Sequence, residues 1–481
     1  MIKARSASRN LIFQITYEVS SMLTTLVTSP YVARVLGAEQ IGIYTYSYTA
    51  AYFFVLFALL GIKTYGARII AQTRDDKRSL AKTFSSLAVL HLLVSCAFLL
   101  FYVFYVMVIQ KWEIYAAIQL LYVLSGVLEV SWFYSGMEDF GIPAVVNTTI
   151  KIVGTIIIFV LVKSKSDLWI YCLILASTSF LSQAILWIPI KRYVRFERPS
   201  RHDIKQHIKP LFLLFIPCIA VSLYKYMDKI MISVLSSNTQ LGLYENAEKI
   251  TAVPLALVAA FGSVMLPKMA HQTTSGKSAA NNKIISLSAK YVLCLAFSMA
   301  FGILAVADAF APIFWGAEFV QSGKVMCGLA ITIPFVSFAN VLRTQFLLPN
   351  SMDKEYIVSV FWGVIVNFTL NWLLIPSRGA IGATIGTVFA EVAVCVLQII
   401  YCKRYLPIKQ YIASAAPFFF ISSIMFYFLK MIGTKMGASI MTLILQILGG
   451  IIIFCVLSVV WLAVSHASEL VSFIHRIRNR K

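Results

Sequence analysis

Acidic residues are scarce in this chain: 20 Asp and Glu stand against 41 Lys and Arg in 481 residues, and charged residues of both signs reach only 13%. A soluble protein of this length carries charge on about a quarter of its residues, so two or three water-soluble domains are excluded. Close cysteine pairs are also lacking. Cys96, Cys172, Cys218, Cys294, Cys327, Cys395, Cys402 and Cys455 are scattered through apolar runs, a pattern that suggests packing residues and neither a zinc site nor a disulfide framework. There is no Walker loop, no His-Glu-x-x-His and no Gly-x-Ser-x-Gly. With no soluble domain to hold a nucleotide, the expectation is a non-enzymatic protein without cofactor or metal. A separate basic domain is missing too. The net charge of +21 is spread over short connectors between apolar runs, which argues against nucleic acid as a partner and for a membrane topology signal.

What is abundant is apolar. Hydrophobic residues make up 59% of the chain and mean hydropathy is +0.82. Runs of roughly 20 apolar residues, enough to cross about 30 Å of hydrocarbon, fall at 11–36, 41–68, 84–109, 114–137, 142–162 and 168–190. After a polar connector come 208–236, 246–267, 286–315, 325–348, 356–376 and 379–402, then 411–431 and 439–465. The expected fold is an all-α polytopic membrane protein of about fourteen helices. Lys3, Arg5 and Arg9 precede the first run, which lacks an obvious cleavage site and is expected to stay as helix one. Basic residues concentrate in alternate connectors: Arg68 to Lys82, Lys191 to Lys209, Lys268 to Lys290, Lys403 to Lys409 and the tail Arg476, Arg478, Arg480 and Lys481. The other connectors keep scattered cations such as Lys111, Lys163 and Lys324. Both termini are therefore expected on the cytoplasmic side.

One half of the chain echoes the other. Gln40-Ile41-Gly42-Ile43-Tyr44 returns as Gln240-Leu241-Gly242-Leu243-Tyr244, each copy following a Val-Leu pair, and Arg68 and Gln72 have counterparts at Lys268 and Gln272. A second echo joins Ser135-Gly136-Met137-Glu138 with Asn350-Ser351-Met352-Asp353. The sequence thus divides into an N-lobe at 1–190, a basic connector at 191–207, a C-lobe at 208–403 and two extra helices with a basic tail at 404–481. Six helices per lobe make the repeats parallel, an organisation found in transporters with a cavity between the lobes.

Ionisable residues inside the spans point to that cavity, because each costs about 2.5–3.5 kcal/mol at mid-membrane even on a lenient scale. Helix seven is the densest case: Lys225 and Lys229 lie four apart on one face, with Asp228 beside them. One acid cannot neutralise both. Two readings stand, a Lys-Asp pair that locks the helix to a neighbour and a cavity-lining contact to an anionic substrate. Arg34 ends helix one, as an interfacial anchor or a cavity cation. Lys63, Lys151 and Arg343 sit towards the cytoplasmic half, where snorkelling competes with cavity exposure. Glu129 and Glu391 are the deepest carboxylates, as partners for Lys151 and Lys63 or as a proton or sodium site. His91 in helix three reads as a packing histidine, the others as loop or tail residues. Tyr44, Tyr48 and Tyr52 form a stripe on helix two, either an interfacial aromatic belt or a stacking surface for sugar rings. Pro30, Pro217, Pro254 and Pro334 mark bends whose freed backbone needs a neighbour or a cavity.

Several segments carry a family resemblance. Pro30-Tyr31-Val32-Ala33-Arg34-Val35-Leu36-Gly37, Gly42-Ile43-Tyr44, Leu60-Gly61-Ile62, Trp132-Phe133-Tyr134-Ser135-Gly136-Met137-Glu138 and the run from Asp228-Lys229-Ile230 to Pro254 and Pro267 resemble the Wzx-like polysaccharide flippases of the multidrug/oligosaccharidyl-lipid/polysaccharide exporter superfamily. The resemblance covers nearly the whole chain. It implies two six-helix lobes that alternate access around a central cationic cavity in the bacterial inner membrane. It implies as substrate an oligosaccharide repeat unit on undecaprenyl pyrophosphate, flipped outward for O-antigen, capsule or exopolysaccharide synthesis, with contact to a polymerase and chain-length machinery. Arg34 and Asp228-Lys229 carry over best by motif position, Lys63 and Arg343 only loosely. The alternatives are a cation-coupled multidrug exporter of the same fold and a lipid II flippase.

Overall fold

A computed structural model describes residues 7–110, 113–274 and 278–465. The sequence expectations for Lys3, Arg5, Lys111, Lys277 and the tail Arg476, Arg478, Arg480 and Lys481 lie outside these. The described residues are helical with no strand, as an apolar environment requires, since it leaves backbone N–H and C=O groups no water to bond. Among them are thirteen stretches long and apolar enough to span a membrane. The first, Thr16–Thr73, runs for 58 residues; as one straight helix it would be about 87 Å long, nearly three hydrocarbon thicknesses. It breaks at Gly37, whose φ of 80° no helix contains, and so counts as two crossings. Fourteen crossings result.

The helices are α1 (Ala7–Leu59, bent at Gly37), α2 (Ile62–Thr73), α3 (Lys77–Phe104), α4 (Ile114–Ile118), α5 (Leu120–Val127), α6 (Ser131–Gly136), α7 (Gly141–Leu161), α8 (Leu168–Leu186) and α9 (Arg201–Leu235). They continue with α10 (Asn238–Thr274), α11 (Ser278–Trp315), α12 (Val320–Leu342), α13 (Asp353–Arg378), α14 (Ala380–Cys402), α15 (Ile408–Met436) and α16 (Ile440–Ser465). Two compact units emerge, Met1–Gly242 and Leu243–Lys481.

The second and fourth crossings, expected as continuous helices over 41–68 and 114–137, are interrupted. The second breaks at Leu60 and Gly61, both left-handed with φ of 43° and 77°. The fourth is three short helices, with a non-helical link at Leu128–Val130. Side chains close that link, as a break inside a membrane demands. Trp187 Nε1 donates to the Leu128 carbonyl at 2.8 Å, and Trp132 Nε1 to that of Glu129 at 3.1 Å. Both tryptophans pack on Phe84, in a cluster that buries Ile62, Ile70, Leu87, Phe133 and Tyr134. A matching cluster in the second unit holds Met269, Leu342, Leu347 and Tyr411.

The connector expected at 191–207 is helical from Arg201. Ser200 accepts from the Asp203 N–H while Asp203 accepts from that of Ser200, a capping box that starts α9 early. Asp203 also pairs with Lys82 of α3 at 2.8 Å. His207, expected in a loop, is buried inside α9 and shares a 2.8 Å hydrogen bond with the Tyr65 hydroxyl.

The twin phrases touch within the first unit. A Cβ on Gly42 would overlap the Asn238 carbonyl, and one on Gly242 would overlap that of Ala38. The contact is reciprocal: each phrase lays its glycine on the backbone that leads into the other. In the second echo the backbone pattern repeats with a different register. The Asp139 N–H bonds to Tyr134 O and the Met352 N–H to Leu347 O, and left-handed φ values fall at Glu138 and Ser351. The side-chain echo therefore sits two residues out of step with the turns. Glu138, with a side chain 46% exposed, pairs with Arg74 at 3.0 Å.

Candidate functional site

The two interrupted crossings of the first unit meet at a buried charge. Gly61 is required on two counts: its φ is left-handed, and a Cβ there would press on the α9 backbone at Leu211 O and Phe215 N, 3.2 and 3.1 Å away. That turn places Lys63 early in α2. Glu129 occupies the link between α5 and α6, and the two ions lie 3.2 Å apart. The Glu129 carboxylate also accepts from the Ser131 N–H at 2.9 Å, from the Ser131 hydroxyl and from Gln183 Nε2 at 3.1 Å. Its side chain is 8% exposed against 57% for Lys63. The acid is thus fixed by four donors while the lysine keeps an open side. Of the pairings the sequence left open, Glu129 meets Lys63. Lys151 instead donates to Ser21 O, Ser21 Oγ and Thr25 Oγ1 at 3.1, 2.6 and 3.4 Å, neutral partners that leave its charge unbalanced.

Next to this pair stand tyrosines from four crossings. Tyr52 packs at a tilt against Tyr226 of α9 with ring centroids 4.2 Å apart and shares a hydrogen bond with Ser222 Oγ at 3.1 Å. Tyr48 packs on Tyr122 of α5 at 4.9 Å. Tyr44 stacks on Tyr48 at 5.9 Å and meets Tyr171 of α8 edge-on at 5.0 Å. Tyr48 and Tyr52 also lie within electrostatic reach of Lys63. Both helix-seven lysines contact one ring: the Lys225 and Lys229 ammonium groups stand 5.5 and 5.4 Å from the Tyr226 centroid. Asp228 and Lys229 are buried. Lys225 is exposed and, among the described residues, forms no ion pair. The Lys-Asp lock imagined for helix seven therefore does not involve Lys225.

The remaining candidates are dispersed. Arg34 is exposed three residues before the Gly37 bend. In the second unit, Arg343 opens a π-helical turn at Arg343–Leu347 and donates to the Tyr356 hydroxyl at 3.3 Å while lying over its ring. Its Nε has no partner. Glu391 is half-buried in α14. Asp308 and Lys430 tie α11 to α15 at 2.5 Å.

His91 is buried, with Nε2 3.0 Å from the Gly126 carbonyl and Nδ1 without a partner. Sequence reasoning missed Ser131, Gln183, Tyr122, Tyr171 and Tyr226. Only Tyr226 had a local signal, lying between Lys225 and Asp228. The others reach the site from helices whose relative rotation no spacing reveals.

A polytopic helical bundle with broken crossings and paired charges inside its first seven crossings is the build of a membrane transporter. The chain belongs to the family described as polysaccharide biosynthesis protein, which matches residues 7–273. This bears out the flippase resemblance drawn from its motifs. It is 20% identical over 397 residues to a protein of Shigella dysenteriae described as an O-antigen transporter, covering 81% of this chain and 98% of that one. It is 24% identical over 387 residues to a Haloferax volcanii protein described as a low-salt glycan biosynthesis flippase, covering 78% and 79%. In structure it is similar to an inward closed lipid II flippase MurJ, with a TM-score of 0.76 at 15% identity over 93% of this chain and 99% of that one. An inward-facing multidrug transporter of the same superfamily gives a TM-score of 0.61 at 14% identity, over 82% and 97%.

Proposed function

We propose that this protein flips oligosaccharide repeat units, carried on undecaprenyl pyrophosphate, from the cytoplasmic to the outer leaflet of the bacterial inner membrane. The observation that carries the reading is the charge cluster of the first unit. Lys63 lies near Tyr52 and Lys225 and Lys229 contact Tyr226, with Glu129 held against Lys63 and with Lys225 forming no ion pair among the described residues. Lys225, without an ion pair among the described residues, and Lys151, held by neutral partners, both offer positive charge inside the apolar spans. A lipid pyrophosphate offers the complementary charge, and its polyprenyl tail can stay in lipid. A cationic drug would meet repulsion at the same place. The family and the relatives' descriptions support the same substrate class.

In this reading, both termini are cytoplasmic, the chain works by alternating access, and Arg34 and Arg343 each add a cation for the substrate. No chemical step and no cofactor is needed, because the substrate changes leaflet and not covalent structure. With the cell interior negative, outward movement of an anion gains about 2.3 kcal/mol per charge per 100 mV, so membrane potential alone can drive the headgroup out. The flipped lipid is the substrate of a polymerase, which makes polymerase and chain-length machinery its proposed neighbours.

The test is surface glycan in cells carrying Lys225→Ala, Lys229→Ala or Arg34→Ala at normal membrane levels of protein. Loss of glycan is expected. Normal glycan in all three variants would reject the cationic site. Proteoliposomes that move lipid II and not a pyrophosphate-linked repeat unit would favour the lipid II flippase whose fold it shares.

A further inference from the structure

The tyrosines of the first unit form more than the stripe visible on helix two. Tyr44, Tyr48 and Tyr52 advance along one face of the second crossing, and Tyr171, Tyr122 and Tyr226 join them from α8, α5 and α9. Counted from the Gly37 bend at 1.5 Å per residue, they lie about 10, 16 and 22 Å along the helix. An interfacial belt would sit at the headgroups, at the edge of a core about 30 Å thick. With the Gly37 bend at the outer edge of the core, where the sequence puts the turn between the first two runs, Tyr52 lies past the middle and Tyr48 close to it. Their hydroxyls reach Ser222 and Tyr122 inside the bundle, and the rings are half-buried, not fully packed. Phenol hydroxyls at this depth need polar surroundings, and the half-buried rings leave part of their surface accessible.

We propose that this tyrosine column is a track for the sugar rings of the substrate, separate from the lysines that take its pyrophosphate. The proposal rests on the flippase reading and extends it to the glycan. The column is cationic at its deep end, where Lys63 lies near Tyr48 and Tyr52 and where Lys225 and Lys229 contact Tyr226. A headgroup with its pyrophosphate at the lysines lays its sugars along about 12 Å of column between Tyr52 and Tyr44. The C–H face of a pyranose is weakly electropositive and packs on the negative face of an aromatic ring, while phenol hydroxyls exchange hydrogen bonds with sugar hydroxyls. Ring stacking depends on the shape of the sugar face more than on any one substituent. The column therefore selects for the presence of a glycan over its identity.

The test compares two probes in proteoliposomes: undecaprenyl pyrophosphate bearing a neutral fluorescent oligosaccharide, and bare undecaprenyl pyrophosphate. The readout is the ratio of their flipping rates for wild type, Tyr48→Leu, Tyr52→Leu and the matching Phe variants. The ratio is expected to fall about five- to tenfold in each Leu variant and to be largely retained in the Phe variants. Lys225→Met, which strands no buried charge, should slow both probes and hold the ratio. An unchanged ratio in both Leu variants would overturn the track, as would Phe variants that fail as completely as Leu. If wild-type protein moves neither probe, the flippase reading itself falls. If it moves both with a ratio indifferent to the tyrosines, the flippase reading survives and the track does not. A misfolded variant is recognised by loss of both rates, and the Phe variants then decide.

Discussion

Removing Lys63 should harm the fold more than removing the charge of its partner, even though the two form one ion pair. At 3.2 Å and an effective dielectric of about 20, the gross attraction is about 5 kcal/mol. Because the Lys63 side chain is 57% exposed, solvent screening leaves a net coupling of about 1–3 kcal/mol. The asymmetry comes from what each substitution strands. Lys63→Met leaves a carboxylate with 8% exposure facing only Ser131 and Gln183, and an uncompensated buried charge costs about 3–5 kcal/mol. Glu129→Gln leaves a lysine that can turn its ammonium to polar surroundings, and the amide keeps an oxygen for the Ser131 donors; about 1 kcal/mol is expected. Combining the two should restore part of the loss, since no charge is then stranded. Unfolding of purified protein in detergent, followed through a full double-mutant cycle, measures each figure. Additivity within about 0.5 kcal/mol, or a larger loss for Glu129→Gln than for Lys63→Met, would refute this account of the site.

Gly42→Ala and Gly242→Ala should each lose about 1–3 kcal/mol, because the new methyl meets the carbonyl of Asn238 or Ala38. Gly302→Ala, with nothing within 4 Å of the added carbon, should be neutral or stabilising by up to about 1 kcal/mol; thermal shifts of the three proteins compare them directly. Flipping in proteoliposomes with an imposed potential should accelerate when the compartment from which substrate leaves is negative. A rate indifferent to potential would remove the electrogenic drive. Breaking the capping box with Ser200→Ala should cost about 1 kcal/mol and shorten the start of α9, seen as faster hydrogen exchange at Asp203 and Ile204.

Much of the bundle was legible because hydropathy is a local property. Most crossings fall where the apolar runs lie, and the bend at Gly37 falls between the first two runs. The interruptions at Leu60–Gly61 and Leu128–Val130 were not legible. At the first, Gly61 gave no clear signal because glycine is frequent inside membrane helices; at the second, Leu, Glu and Val carry no break signal, and the link is closed by Trp187, Trp132 and Gln183, of which Trp187 and Gln183 lie more than fifty residues away. Lys225, Lys63 and Glu129 stood out because charge is conspicuous in an apolar run. Which of them would pair did not. Lys151 and Lys63 were equal candidates for Glu129 until the turn at Gly61 aimed one of them.

The amino-acid sequence by itself determined the membrane class, the number of crossings, the internal echo and the family, since each depends on residue type and spacing along the chain. Tertiary structure decided the Lys63–Glu129 pair, the six-tyrosine column and the reciprocal seating of Gly42 and Gly242. Each joins positions tens to about two hundred residues apart. The reason is rotational: a span reads as apolar whichever way it faces, and only packing against its neighbours fixes which side chains turn inward.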